Sequence, residues 1–187
     1  MRKIIVSNLV SLDGFFEGPN KELDWFVVEE EFFEYARDLL NDVDTILFGR
    51  ITYLMMAAYW PNAKDNDATI THKMNHLNKI VFSKTLKKVD WNNAVLAKDN
   101  LSKEIEILKK QPGKYIVIFG SGTLVTQLTN LGLIDEYQII VNPIILGKGN
   151  FLFKGIIDKI NLKLLDTKVL KSGVVILYYT INNNQKA

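Results

Sequence analysis

Three places in this 187-residue chain bring an apolar run to an end on residues suited to holding an anion. Tyr115-Ile116-Val117-Ile118-Phe119 leads into Gly120-Ser121-Gly122-Thr123-Leu124. Thr45-Ile46-Leu47-Phe48 leads into Gly49-Arg50-Ile51-Thr52-Tyr53, and Lys79-Ile80-Val81-Phe82 into Ser83-Lys84-Thr85. Glycine lets a backbone approach a ligand closely, and the free N–H groups at the start of a helix face a negative charge. Arg50 has the wrong sign for a helix N-terminus, so placing it there costs energy unless an anion is bound nearby. The run at Gly120 departs from the dinucleotide fingerprint, because Val125 stands at the third glycine position and no P-loop lysine follows. Taken alone, it makes a tight turn and helix cap equally well.

The elements that must position these segments are short. Runs rich in Val, Ile, Tyr and Phe predict eight strands, at 2–10, 44–48, 79–83, 94–97, 115–119, 135–142, 161–170 and 173–181. Apolar spacing near 3.6 residues predicts four helices, at 29–41, 51–59, 101–110 and 121–131. Alternation of strand and helix implies an α/β fold with a largely parallel sheet. The last two strands, joined by a tight turn ending at Gly173, predict an antiparallel hairpin at one sheet end. In such open sheets ligands bind beyond the carboxyl ends of the strands, where all three segments fall. Two long connections, 11–28 and 60–78, read as ligand-contacting loops, the second carrying Trp60-Pro61.

Composition narrows the chemistry. There is no cysteine, which excludes thiol nucleophiles, thiolate zinc sites and iron–sulfur clusters, and fits a reducing cytoplasm. A net charge of +2 gives no footprint for nucleic acid, and no run approaches the length of a membrane span. Charge is uneven, however: residues 1–50 carry 5 Lys/Arg against 11 Asp/Glu, and the rest 18 against 10, so a polyanionic ligand favours the later segments. His72 and His76 lie four apart, but no nearby carboxylate completes a metal site, and none is expected. One domain over 1–187 is expected, with 182–187 as a tail.

Five motifs in order carry a resemblance. Ser11-Leu12-Asp13-Gly14, Phe48-Gly49-Arg50-x-Thr52-Tyr53, Val81-Phe82-Ser83, Ile118 to Leu124, and Asn142-Pro143-x-x-Leu146-Gly147-x-Gly149 together resemble the dihydrofolate reductase superfamily. More narrowly, they are similar to the reductase domain of the bifunctional deaminase-reductases of riboflavin synthesis and to its stand-alone homologues. The resemblance implies a single dihydrofolate-reductase-like domain: a mostly parallel eight-stranded sheet with a C-terminal hairpin and four flanking helices. It also implies hydride transfer from NADPH to a pyrimidine- or pterin-like small molecule, as in the phosphoribosylaminouracil reductases, and a homodimer.

By the same resemblance, Gly49, Arg50 and Thr52 match the segment that binds the cofactor phosphates. Ser83 and Lys84 match the site of the 2′-phosphate, and Gly120, Ser121, Gly122, Thr123 and Leu124 the loop around the pyrophosphate and nicotinamide half. Asp13 matches the turn facing the substrate, where it would bind it and aid protonation. Trp60, in the second long loop, and Lys148, between two glycines, are further substrate-binding candidates. Classical folate reductases place a substrate acid early in the first helix; counting forward from Trp25 puts Glu30 there, and counting back from Gly49 puts Phe33. Two alternatives stay open, dihydrofolate reduction and a non-catalytic nucleotide-binding module on the same fold.

Overall fold

A computed structural model describes residues 1–64 and 66–182, so most of the expected tail, 183–187, lies outside the described residues. The chain order is β1 (Ile4–Ser11), β2 (Phe15–Glu17), α1 (Glu30–Asp42), β3 (Val43–Gly49), α2 (Arg50–Tyr59), a 3-10 turn (Trp60–Asn62) and α3 (Ala68–His76). There follow β4 (Asn78–Phe82), β5 (Ala94–Leu96), α4 (Leu101–Lys110), β6 (Tyr115–Phe119), α5 (Gly122–Asn130), β7 (Glu136–Asn142), β8 (Asn150–Phe151), β9 (Leu162–Val169) and β10 (Val175–Ile181). Eight of the strands form one sheet in the order β5-β4-β3-β6-β1-β7-β10-β9. The first six in that order are parallel, and β10 runs antiparallel to both β7 and β9.

Alternation along the parallel strands sends side chains to two separate cores. On one face Ile5, Ile46, Phe48, Val117 and Ile140 pack with Tyr35, Leu39 and Leu40 of α1, Tyr53 of α2, and Ile70 and Met74 of α3. On the other, Ile4, Val6, Leu47, Ile116 and Ile118 pack with Ile105 and Leu108 of α4 and Leu124, Val125 and Leu128 of α5. Thus α2, leaving β3, covers one face, while α5, leaving the adjacent β6, covers the other. The crevice between the carboxyl ends of β3 and β6 is therefore a topological switch point, the place where such sheets bind ligands.

Two expectations are corrected. Among the described residues there are five α-helices rather than four, because α3 lies in the stretch expected to be loop 60–78. Asp67 caps that helix by accepting the Ile70 N–H at 2.9 Å, and Ile70 and Met74, one turn apart, bury its single apolar edge. A small second sheet pairs β2 with β8, fixed by the stacked rings of Phe15 and Phe151 with centroids 4.1 Å apart. Among the described residues no helix is long and apolar enough to cross a membrane.

Candidate functional site

Residues of β1, β3 and β6 lock the switch-point crevice into one shape. The Gly49 N–H donates to Ser121 Oγ at 3.0 Å, and the Ser121 N–H donates to Thr52 Oγ1 at 2.9 Å, so the turns after β3 and β6 are stitched together. Asn8 of β1 holds Gly120 from below, through bonds to both its N–H and its carbonyl. Gly120 has φ +56°, and a Cβ there would stand 2.9 Å from the Thr52 methyl group, so glycine is required. Ser121 is left-handed as well, at φ +53°, a conformation that costs a non-glycine residue energy and is sustained here by its two hydrogen bonds.

The crevice is rich in unused donors and positive charge. Neither α2 nor α5 has a side-chain cap, so their first N–H groups are left for a ligand. Arg50 and Lys84 are exposed and have no ion pair among the described residues. The Ser83 hydroxyl accepts the Leu86 N–H at 2.9 Å, shaping the turn that carries Lys84. Gly122 and Thr123 form the open start of α5, whereas the Leu124 side chain is sunk in the second core and offers only its backbone. All ten sequence-predicted cofactor residues therefore lie along the carboxyl ends of β4, β3 and β6. The set fits a dinucleotide carrying an extra phosphate: two cations without an ion pair among the described residues, and two helix starts without a side-chain cap.

Beside this crevice, on the α1 face of the sheet, lies a cavity of about 650 Å³. Thr52, Phe119 and Gly120 belong to its wall, so it opens onto the stitched turns. Phe32, Phe33 and Leu39 of α1, Met55 and Met56 of α2, and Met74 of α3 make most of the remainder apolar. Its floor carries a buried polar pair, Ser7 Oγ and Tyr35 OH, 2.8 Å apart. Tyr35 donates onward to Gln138 Oε1 at 2.7 Å, and Gln138 donates to Glu136 at 2.8 Å. Burial pushes the Tyr35 phenol far above its ordinary value, so it stays protonated.

The sequence-predicted substrate residues divide. Trp60 is on the cavity wall, oriented by its indole N–H against Met56 Sδ at 3.1 Å. Asp13 is not on that wall. Its Oδ1 accepts the Ser11 hydroxyl at 2.6 Å and the Leu146 N–H at 3.1 Å, and its Oδ2 accepts the Gly147 N–H at 2.7 Å. The Ser11 bond foremost, with the two backbone N–H groups, lowers its pKa, and the carboxylate ties the turn after β1 to the Leu146–Gly147 turn. Glu30 is exposed at the start of α1 and bonds Arg37 at 2.6 Å, outside the cavity, whereas Phe33 is part of the wall. Lys148 is exposed on its glycine turn and also lies off the wall. His72 and His76 stack on α3 with centroids 4.1 Å apart, and among the described residues no three His, Cys, Asp or Glu side chains gather as a metal site.

Sequence reasoning missed Asn8, Ser7 and Gln138. A signal was present for the first two: polar residues interrupting the apolar run Ile4–Val10 must either face solvent or find buried partners.

Comparison with known proteins supplies the lineage. The profile of the RibD C-terminal domain matches residues 2–176. Bacillus subtilis YyaP is 39% identical over 183 residues, 97% of this chain and 96% of its own. Among solved structures, a Shewanella protein assigned to riboflavin biosynthesis superposes with a TM-score of 0.77 at 23% identity, covering 97% of this chain and 99% of that one. A Thermotoga maritima diaminohydroxyphosphoribosylaminopyrimidine deaminase/5-amino-6-(5-phosphoribosylamino)uracil reductase superposes at 0.71 with 13% identity, covering 97% of this chain and 57% of that one.

Proposed function

This chain belongs to the RibD C-terminal domain family, and from that premise we propose that it is an NADPH-dependent oxidoreductase acting on a small pyrimidine- or pterin-like ring. The observation that carries the reading is the meeting of two spaces: the apolar cavity opens at Gly120 and Thr52, in the same stitched turns that present uncapped helix starts beside Arg50 and Lys84. NADPH, when bound, supplies the hydride. The chain's own residues hold the two phosphate-bearing regions, orient the ring in the cavity, and exclude water by the apolar walls of α1 and α2.

Arg50 and Lys84 are the cations available to the 2′-phosphate, through charge-assisted hydrogen bonds. Fluorescence titration with NADPH and NADH tests this. NADPH binds more tightly, and Arg50→Ala and Lys84→Ala remove most of that preference; absence of NADPH binding to the wild-type protein would sink the reading. Folate reduction draws no support from Glu30, which is turned to solvent and paired with Arg37. The module without catalysis predicts NADPH binding with no oxidation across pyrimidines and pterins. A homodimer belongs to the same proposal: all eight residues of β9, the last strand of the sheet, are exposed, leaving an edge open to a second copy. Sedimentation at micromolar concentration checks it.

A further inference from the structure

The charges around the cavity narrow the substrate class. The charged residues on its wall are Glu17, Asp24 and Asp67, and none of the described wall residues is Lys, Arg or His. Arg37 approaches from α1, but both ends of its guanidinium are taken, by Asp67 at 2.6 Å and Glu30 at 2.6 Å. Glu17 accepts the Asn150 amide at 2.7 Å, which orients the carboxylate without neutralising it. Lys148, the cation available in sequence for a substrate phosphate, lies off the wall. A phosphate or carboxylate entering here would lose its hydration among apolar side chains and meet Glu17 and Asp24, neither with an ion pair among the described residues, and Asp67, whose partner Arg37 is already shared with Glu30. Phosphoribosyl substrates such as the one named for the Thermotoga enzyme need a cationic partner that this cavity lacks.

The floor adds a second constraint. Tyr35 spends its proton on Gln138, so in the bond between Ser7 and Tyr35 the serine is the donor. What Ser7 leaves to a ligand is an oxygen lone pair, which takes an N–H or O–H.

We infer that the substrate is an uncharged planar ring without phosphate or carboxylate, seated against the apolar face of α1 with a ring N–H directed to Ser7. This rests on the reading of the cavity as the substrate site of a reductase. It differs from that reading in its consequence, because it concerns binding of the ring and not use of the cofactor.

The test is a set of matched pairs titrated against the full-length protein without cofactor, following quenching of the Trp60 and Trp25 fluorescence. One pair is the phosphoribosylaminouracil and its dephosphorylated form; the other is dihydrofolate and 6,7-dimethyl-dihydropterin, which lacks the glutamate tail. The neutral member of at least one pair binds, and at least tenfold more tightly than its anionic partner. The exposed loop variant Asp24→Lys narrows that gap severalfold by bringing a cation to the rim. Equal or tighter binding of the anionic member overturns the inference, as does failure of both neutral members to bind at millimolar concentration, or a gap that Asp24→Lys leaves unchanged. NADPH titration of the same preparation reports separately on the reductase reading, so the two fail independently.

Discussion

Asn8 closes a two-bond clamp on Gly120: its side-chain oxygen accepts the Gly120 N–H at 2.7 Å and its nitrogen donates to the Gly120 carbonyl at 2.9 Å. The clamp joins the central strand β1 to the turn that the sequence marks for cofactor binding. Both partners are half-buried backbone groups of Gly120, so removing the amide takes away the protein partner of a donor and of an acceptor. Asn8→Ala is expected to lower stability by about 1–3 kcal/mol and to weaken NADPH binding in parallel, because the left-handed turn loses its support. Urea denaturation and a cofactor titration on the same variant check both effects. Asn8→Asp retains the acceptor and loses the donor, and falls between the two.

Asp13 has the spacing of a catalytic acid and the bonding of a loop tie. Its carboxylate receives Ser11, Leu146 and Gly147, and the resulting downward shift in pKa keeps it ionised at neutral pH. Because the folded pKa lies below the unfolded one, its stabilising contribution is present above the unfolded value near 4 and is lost as pH falls through the folded value. Asp13→Asn is expected to lower the melting temperature at pH 7 while leaving the shape of the pH–rate profile unchanged. Loss of an ionisation from that profile would assign Asp13 the catalytic role.

Lys79 supplies a stability test remote from the chemistry. Its side chain is fully buried, with Nζ bonded to the Leu77 carbonyl at 2.7 Å and the Asn92 carbonyl at 3.0 Å, and lying 4.4 Å from the centroid of the Trp91 ring. Burial pushes its pKa down to about 8. Between that value and the unfolded value near 10.4 the unfolded chain binds more protons, so this group makes stability rise with pH; below pH 8 its full penalty is present. Relative to Lys79→Met, the wild-type protein should gain about 1–2 kcal/mol between pH 8 and 9.5. Denaturation midpoints for the pair at the two pH values measure the difference, below the range in which ordinary tyrosines titrate.

The strands were legible because burial on both faces of a parallel sheet writes itself as short β-branched runs, and each of the eight expected runs pairs in the central sheet. The cofactor segments were legible for a related reason: Gly49, Gly120 and Gly122 sit where apolar runs stop, and strand ends in such a sheet converge. What escaped were features that depend on partners far along the chain. Ser7 and Tyr35 are 28 positions apart, and Tyr35 and Gln138 are 103 apart, so nothing in their local spacing announces a hydrogen-bonded floor. Helix α3 escaped because it buries only Ile70 and Met74, too few apolar residues to outweigh the polar ones around them. The bonding of Asp13 was not legible either, because an Asp-Gly turn has the same spacing whether its carboxylate faces a substrate or the backbone of another loop.

The floor of the cavity yields the last expectation. In the wild-type protein Ser7 donates to Tyr35, Tyr35 to Gln138 and Gln138 to Glu136, so the direction of every proton is set from the far end. Tyr35→Phe removes the middle link. Gln138 then loses a buried donor, at a cost of about 1–2 kcal/mol, and the Ser7 hydroxyl is freed to turn into the cavity as a donor. A ring that presents an N–H to Ser7 should therefore lose affinity, while an isostere that presents a carbonyl at the same position gains it. The measured quantity is the ratio of the two dissociation constants in wild type and variant, which a merely structural role for Tyr35 would leave unchanged because both ligands would weaken together. Inversion of that ratio ties Tyr35 to the choice of ring through Ser7; a constant ratio assigns the chain to holding the sheet against α1 and nothing more.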